Sequence, residues 1–279
     1  MKHILLPTDF SENSWNAIRY ALSMFNKTAC SFYILTVNII PSFSGAQSNV
    51  QFNQEKLRKN ILRQSEADLQ HLLKRIHKHL PDNNHKFNTV AVYGSFIDTV
   101  QRMVIKHKIE LIVMGTKGAT GLKKIIVGSN TAAIISKVDC PLLAVPENAC
   151  YKKLREIAFA TDFKVAYNHK MLDTLKEVVN LTRTPLIILN VLEKEKDLND
   201  QQTLNKEFLT DYFKDLEHNF YTLSKSGVDE AVQCFAESRD IDMIVMLAKN
   251  RSFLQKILIR PTVQHFSYHL DLPFLVLHE

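Results

Sequence analysis

Apolar and polar residues in the first half of the chain follow two alternating periods. The first apolar run, HILLPT at residues 3–8, is continuous, as expected for a strand that is buried on both faces of a sheet. Four further segments have strand character: SFYILTVNII (31–40), FNTVAVY (87–93), IELIVMG (109–115) and PLLAVP (141–146). Between them, apolar residues at helical spacing predict helices over 12–26, 53–79 and 95–108, and a fourth before the last strand. This alternation predicts an α/β fold with a parallel, doubly wound sheet.

The second half of the chain repeats the first. Residues 109–147 align with 241–279 without a gap, and 12 of the 39 positions are identical. The two beginnings also match, as ILLPTDFS near residue 4 and IAFATDFK near residue 157. A repeat of this length indicates two copies of one unit. We therefore predict two tandem five-stranded domains, over 1–148 and 153–279, related by a pseudo-two-fold axis.

Charge is distributed unequally between the two copies. The net charge of the chain is +6, but residues 1–148 carry 18 Lys and Arg against 10 Asp and Glu, a net charge of +8. Residues 149–279 carry 17 against 19, a net charge of −2. The positive first half favours an anionic ligand there. Because the basic residues are not interleaved with aromatic ones, we expect no nucleic-acid partner.

Several features favour a cytoplasmic protein. The four cysteines form no CxxC pair, so reduced thiols are expected. No run of 18 apolar residues occurs, and we expect no membrane-spanning helix and no membrane partner. The first ten residues, MKHILLPTDF, lack the long apolar core and cleavage site of a signal peptide.

Glycines are concentrated in one loop. Four of the seven in the chain lie in MGTKGATGLKKIIVGSNT, residues 114–131, directly after the fourth strand. In a parallel sheet, ligands bind at this edge, and glycine lets a ligand approach the backbone. Ser129 or Asn130 can cap the helix that follows, and a helix N-terminus attracts phosphate. The alternative is a tight connection without a ligand. Neither the P-loop nor the dinucleotide-binding pattern is present.

The glycine spacing resembles that of a known family. Gly115, two residues, Gly118, nine residues, then Gly128 and Ser129 match the G-x2-G-x9-G-[ST] signature of ATP-binding universal stress proteins. The flanking segments LLPTDFS and CPLLAVP are similar too, and the resemblance covers nearly all of 1–147 and, more faintly, 154–279. It implies a Rossmann-like domain related to adenine nucleotide alpha hydrolases. It further implies a cytoplasmic stress-response protein that binds ATP, or ADP or AMP, with or without Mg²⁺, and acts as a nucleotide-dependent regulatory module.

The resemblance also assigns residues to parts of the nucleotide. It places Pro7, Thr8 and Asp9 by the adenosine, Val37 at the adenine, Met114 and Gly115 at the ribose, and Gly118, Gly128, Ser129 and Asn130 at the phosphates, with Thr131 as a further candidate. From its position alone, Asp9 either accepts from ribose hydroxyls or holds a metal on the phosphates, or is simply an acid at a helix N-terminus. Lys117 either reaches a phosphate or lies on a solvated face.

The second copy has lost the signature. Its aligned residues are Leu247, Asn250, Phe253, Arg260 and Pro261, in place of Gly115, Gly118, Gly121, Gly128 and Ser129. Asp162 and Val191, the counterparts of Asp9 and Val37, remain. We therefore expect that the second copy does not bind ATP in the family manner and serves as a structural or regulatory partner.

Other candidate chemistry is weaker. His77, His79 and His85 lie close in sequence, but in a polar helix end and loop, and we expect no metal there. His265 and His269 are four apart on a helix, but the Glu of an HExxH motif is absent, and we expect no metal there either. The polar stretch 41–55 is expected to be a loop, and the family resemblance implies that it lies near the nucleotide, either as a lid or as a disordered segment.

Two functions compete with a binding protein. The first is a slow ATPase or phosphotransfer enzyme that uses Asp9 with Mg²⁺, although no dedicated base is evident. The second is an interaction module that binds no nucleotide. The apolar last strands of the two copies are edges that can pair within the chain or between chains. We therefore expect an intramolecular pseudo-dimer or a homodimer, together with an unidentified protein partner.

Overall fold

The computed structural model describes residues 1–39, 48–80, 84–116, 128–192, 197–224, 228–249 and 272–279. Strands and helices alternate along the first half as β1 (Lys2–Pro7), α1 (Glu12–Met24), β2 (Cys30–Asn38), α2 (Ser48–His79), β3 (Lys86–Tyr93), α3 (Phe96–His107), β4 (Leu111–Gly115), α4 (Ser129–Lys137) and β5 (Leu142–Val145). The described part of the second half contains β6 (Ile157–Thr161), α5 (His169–Thr182), β7 (Leu186–Leu192), α6 (Asp200–Tyr212), β8 (His218–Ser224), α7 (Val228–Ser238), β9 (Met243–Leu247) and β10 (Phe274–Leu277).

The ten strands of the described residues belong to one sheet, in the order β3-β2-β1-β4-β5-β10-β9-β6-β7-β8. Within each half the neighbouring strands are parallel. In each half the first strand lies in the middle, with the second and third strands on one side of it and the fourth and fifth on the other. The α/β class with a mostly parallel central sheet is thus confirmed. The domain boundaries near 148–153 stay a prediction.

The two halves meet at an antiparallel seam between their last strands. Phe274, Leu275 and Val276 of β10 pair with Ala144, Leu143 and Leu142 of β5, respectively. The apolar edges therefore pair within the chain in this structure. The connection that follows β5 is held by Asn16, a buried residue of α1 whose side-chain amide donates to the carbonyls of Pro146 (3.0 Å) and Ala149 (2.8 Å).

The hydrophobic core forms two layers, one on each face of the sheet. Residues of β1 show the alternation: Ile4 and Leu6 pack on the face covered by α1, α2, α5 and α6, whereas Leu5 packs on the face covered by α3, α4 and α7. Because helices cover both faces of the sheet, the central strands carry apolar side chains on both of their faces. No helix within the described ranges is long and apolar enough to cross a bilayer.

One element differs from the prediction. The polar stretch 41–55 was expected to be a loop, but α2 already begins at Ser48 and continues for 32 residues. Ser and Asn have modest helix propensity, but adding residues to an existing helix costs less than nucleating one. Leu69, Leu72 and Ile76, which are buried against the sheet, anchor this helix. Residues 40–47 lie outside the described part, so a lid there stays a prediction.

Candidate functional site

The sheet order changes direction between β1 and β4, and this point is where open α/β sheets bind ligands. Thr8 and Asp9 follow the carboxyl end of β1, Val37 lies near the end of β2, and Gly115 closes β4. Because β1 pairs with both β2 and β4, these ends are neighbours at one edge of the sheet. Gly128 joins them through a backbone hydrogen bond from its N–H to the carbonyl of Thr116. The structure therefore brings together the predicted residues that it describes.

The turn after β1 is held by its own side chains. The hydroxyl of buried Thr8 accepts from the backbone N–H of Phe10 (3.0 Å) and lies 3.0 Å from the hydroxyl of Ser14. Phe10 has φ of 62°, a left-handed conformation that is uncommon for a bulky residue. The equivalent Phe163 of the second half has φ of 56°, so this turn is a feature of the repeat.

Asp9 is exposed, and its carboxylate stabilises the start of α1. Oδ1 accepts from the backbone N–H of Ser11 (3.1 Å) and from the Ser11 hydroxyl (2.6 Å). Ser11 is in turn the N-cap of α1 and accepts from the N–H of Ser14 (3.2 Å). Asp9 therefore supports the cap without being the cap. The alternative that Asp9 is an acid at a helix N-terminus is therefore correct in part. The same hydrogen bonds fix the orientation of the Asp9 carboxylate at the edge of the sheet.

Gly115 is a glycine because of its neighbour Asn13. A Cβ built at Gly115 would lie 2.7 Å from Asn13 Nδ2 and 2.8 Å from Asn13 Cγ, far closer than a normal contact. Asn13 is buried in the first turn of α1. The space beside this glycine is therefore filled by the protein, whereas the sequence suggested room for a ligand. In the second copy the aligned residues are Leu247 and Ala166, so the large and small partners are exchanged.

Helix α4 begins without a capping side chain. Its N-cap is Gly128, and no side chain in the described residues accepts from its first amides. The prediction that Ser129 or Asn130 caps this helix is wrong, because both already lie within its first turn, where they are exposed. By contrast, the other helices with a described N-cap, α1, α3, α5 and α6, are capped by Ser11, Ser95, Asn168 and Asn199. Uncapped amides and the helix dipole together favour an anion at α4.

Thr131 connects this helix to the sheet. Its hydroxyl is buried and donates to the carbonyl of Gly115 at 2.9 Å. Because this bond uses the only hydrogen of the hydroxyl, the Thr131 side chain holds α4 against β4. The backbone N–H of Thr131 points towards the start of the helix.

The apolar part of the edge lies on the same face of the sheet as α4. Met114 is buried in the core layer beneath α3 and α4, and Val37 is half-buried against that layer. Pro7 is buried at the end of β1. The site thus combines apolar strand ends, a hydroxyl-rich turn and a helix N-terminus. Lys117, Gly118 and Gly121 lie outside the described residues.

The corresponding turn of the second half is covered by α6. Gln202 donates to the carbonyl of Asp162 (2.8 Å), and Asn205 donates to the carbonyl of Phe163 (2.7 Å). The Asp162 carboxylate accepts from the backbone N–H of Lys164 (3.1 Å). Asp162 is buried, whereas Asp9 is exposed. The other substituted residues, at 250, 253, 260 and 261, lie outside the described part.

The three histidines of the first group pack on aromatic rings, and His77 and His85 both contact Phe87. The ring of His77 packs on Phe87, and the ring of His79 packs on Trp15. The ring of His85 packs on Phe32, and burial lowers the pKa of this imidazole. Within the described ranges no group of three metal-binding side chains occurs. His265 and His269 lie outside those ranges.

Sequence reasoning did not identify Ser11 and Asn13 as part of this edge. From the sequence, Ser11 was only a polar residue before a predicted helix. The Gly–Asn and Leu–Ala exchange between the two copies is a signal that could have found Asn13, because compensating changes in size indicate contact.

Comparisons with known proteins identify the first half. The model of the universal stress protein family matches residues 1–146. A universal stress protein of Methanocaldococcus jannaschii is 30% identical over 146 residues, which cover 52% of this chain and 81% of that protein. The crystal structure of a universal stress protein from Archaeoglobus fulgidus aligns over 98% of this chain and 97% of that one, with a TM-score of 0.69 and 17% identity. The latter likeness shows a shared fold over both halves.

A universal stress protein from Archaeoglobus fulgidus has also been solved in complex with dAMP. It is 14% identical, covers 45% of this chain and 99% of that one, and has a TM-score of 0.33, which is too low to locate a ligand here. The sequence signature, the Rossmann-like sheet and the family match over residues 1–146 agree, and the chain belongs to the universal stress protein family.

Proposed function

We propose that the first half binds an adenine nucleotide, with ATP as the expected form, and that the protein acts as a nucleotide-dependent regulator in the stress response. The observation that carries this proposal is the start of α4, where the N-cap Gly128 has no side chain to accept from the first-turn amides and no other described residue does so. Membership of the family and the net positive charge of residues 1–148 support the same ligand class.

The residues of the edge fit the three parts of a nucleotide. The backbone amides of Ser129, Asn130 and Thr131 would donate to phosphate oxygens, and the two exposed side chains add further donors. The apolar surface of Val37 would lie against the base, and Met114 with Gly115 would flank the ribose. The Asp9 carboxylate, which Ser11 holds in place, would accept from ribose hydroxyls or hold Mg²⁺ on the phosphates.

We propose that the second half binds no nucleotide in this manner. Two observations support this: Leu247 stands where the first half has Gly115, and α6 covers the turn after β6 through Gln202 and Asn205. Binding of one nucleotide per chain is the expected stoichiometry.

A regulatory role is preferred to fast catalysis. Phosphoryl transfer needs a positioned nucleophile and neutralisation of charge at the γ-phosphate. Of the eleven residues predicted for the site, Asp9 is the one with an ionisable side chain. We propose a binding protein for this reason, and the family resemblance supports a location in the cytoplasm. ATP hydrolysis that disappears in Asp9→Ala while binding is retained would instead support an enzyme.

Gly128→Asp is the experiment that tests the phosphate site most directly. Gly128 has φ of −62° and ψ of 158°, so any residue can adopt its backbone conformation. Aspartate at an N-cap accepts from the first amides of a helix and also repels phosphate. We expect unchanged or higher thermal stability together with at least a tenfold loss of ATP affinity, measured by calorimetry.

Gly128→Ala is the matched control, because it adds a methyl group but no acceptor. It should keep ATP affinity within about threefold of the original chain. Equal affinities of Gly128→Asp and the original chain would refute the phosphate site, and two nucleotides per chain would refute the proposal for the second half.

A further inference from the structure

The C-terminal end of α4 is held by side chains from two different parts of the chain. The last carbonyls of a helix have no donor within the helix and need other partners. Gln101 of α3 donates its side-chain N–H to the carbonyl of Lys137 (2.7 Å). His278, which follows β10 of the second half, makes a hydrogen bond of 3.0 Å between its Nε2 and the carbonyl of Ile135. The second half therefore contacts the helix that begins at the proposed phosphate site.

The chemistry of this contact fixes the direction of the hydrogen bond. A carbonyl oxygen can only accept, so Nε2 of His278 carries the hydrogen. His278 is largely buried, with 9% of the residue's surface exposed. It follows directly on β10, whose residues up to Val276 pair with β5. The donor is thus held by the seam between the halves.

The contact is not a feature of the repeat as such. The position of the first half that aligns with His278 is Pro146, which has no side-chain donor. The histidine is therefore a difference between the two copies, like the glycines of the loop.

We propose that His278 is a positioning residue for α4, through which the second half orders the phosphate-binding end of the first. This inference rests on the proposed nucleotide site. Helix α4 is only nine residues long, or about 14 Å, so it moves as one rigid element. Thr131 attaches one end to the carbonyl of Gly115, and Gln101 and His278 attach the other. Loss of the His278 bond would let the helix tilt and would move its first amides.

The test compares His278→Leu with His278→Gln in the full chain. Leucine removes the donor, whereas the side-chain amide of glutamine keeps an N–H at a similar reach. Two quantities are measured at 25 °C: hydrogen exchange of the α4 amides without nucleotide, and ATP affinity by calorimetry. One hydrogen bond corresponds to about a two- to tenfold effect on either quantity. We expect His278→Leu to show faster exchange and weaker binding, and His278→Gln to restore both.

Each outcome decides the matter. The proposal is overturned if His278→Leu has the same exchange rates and the same ATP affinity as the original chain. It is also overturned if both variants lose equally, because the ring and not its N–H would then be responsible. Glu279→Gln is the matched control, because Glu279 pairs with Lys249 and not with α4, and it should change neither quantity. If the original chain binds no ATP, the proposed function fails, and the exchange data still decide whether His278 orders α4.

Discussion

Replacing Gly115 by alanine tests the packing of the edge of the sheet. The added Cβ would lie 2.7, 2.8 and 2.9 Å from Nδ2, Cγ and Oδ1 of Asn13. The side chain of Asn13 would have to move by about 0.7 Å to restore an ordinary contact. Asn13 is buried in the first turn of α1 and close to the turn that holds Asp9, so it has little room to move.

The expected cost follows from this geometry. Overpacking by one methyl group in a well-packed interior typically costs about 1–3 kcal/mol. We expect Gly115→Ala to lower the free energy of unfolding by this amount, measured by urea denaturation at 25 °C with the slope unchanged. In an Asn13→Ala background the same change should cost less than about 0.5 kcal/mol, which gives a coupling energy of about 0.5–3 kcal/mol.

Gly94→Ala is a control in which the loss of stability has a different cause. Gly94 has φ of 139°, and no heavy atom lies within 4 Å of the position that an added methyl group would take, so the cost comes from the backbone alone. We expect about 1–3 kcal/mol for Gly94→Ala, and Asn13→Ala should not relieve it. A neutral Gly115→Ala, or a cost that is the same in both backgrounds, would refute the packing argument.

Two further predictions concern ionisable groups. Burial lowers the pKa of His278, and it lowers the pKa of His85 and His107 as well. In the unfolded chain these imidazoles have their ordinary pKa of about 6.5, so near and below this pH the unfolded chain binds more protons than the native one. The free energy of unfolding should therefore fall as the pH drops from 7.5 to 5.5, and less steeply in His278→Gln; a flat profile would contradict this. Burial raises the pKa of Asp242, but hydrogen bonds that include one from the backbone N–H of Arg155 (2.7 Å) outweigh it and lower the pKa. Asp242→Ala should cost about 1–3 kcal/mol in chemical denaturation, and a loss below about 0.3 kcal/mol would be inconsistent with that network.

The sheet could be predicted from the sequence because its signals are local. An apolar run such as residues 3–8 predicts a strand that is buried on both faces, whatever the rest of the chain does. The constant offset between the copies likewise predicts that both halves have the same strand arrangement. By contrast, the start of α2 at Ser48 depends on anchoring residues more than ten positions away, which the local pattern of 41–55 does not include.

The details of the site depend on contacts between distant parts of the chain. Asn13 fills the space beside Gly115 from another element, and His278 contacts α4 across 143 positions of sequence. Thr131 was predicted as a candidate for the nucleotide, but whether its hydroxyl faces a ligand or the carbonyl of Gly115 depends on how α4 rotates against β4. No local pattern determines such a rotation.

The seam between β5 and β10 has a consequence for how the protein behaves on dilution. Two separate subunits that meet through their last strands come apart as their concentration falls, but here both partners belong to one polypeptide. The effective concentration of one half near the other is set by the connecting segment and not by expression level. Pairing therefore persists however scarce the protein is in the cell, and each half is always matched with the same, non-identical companion.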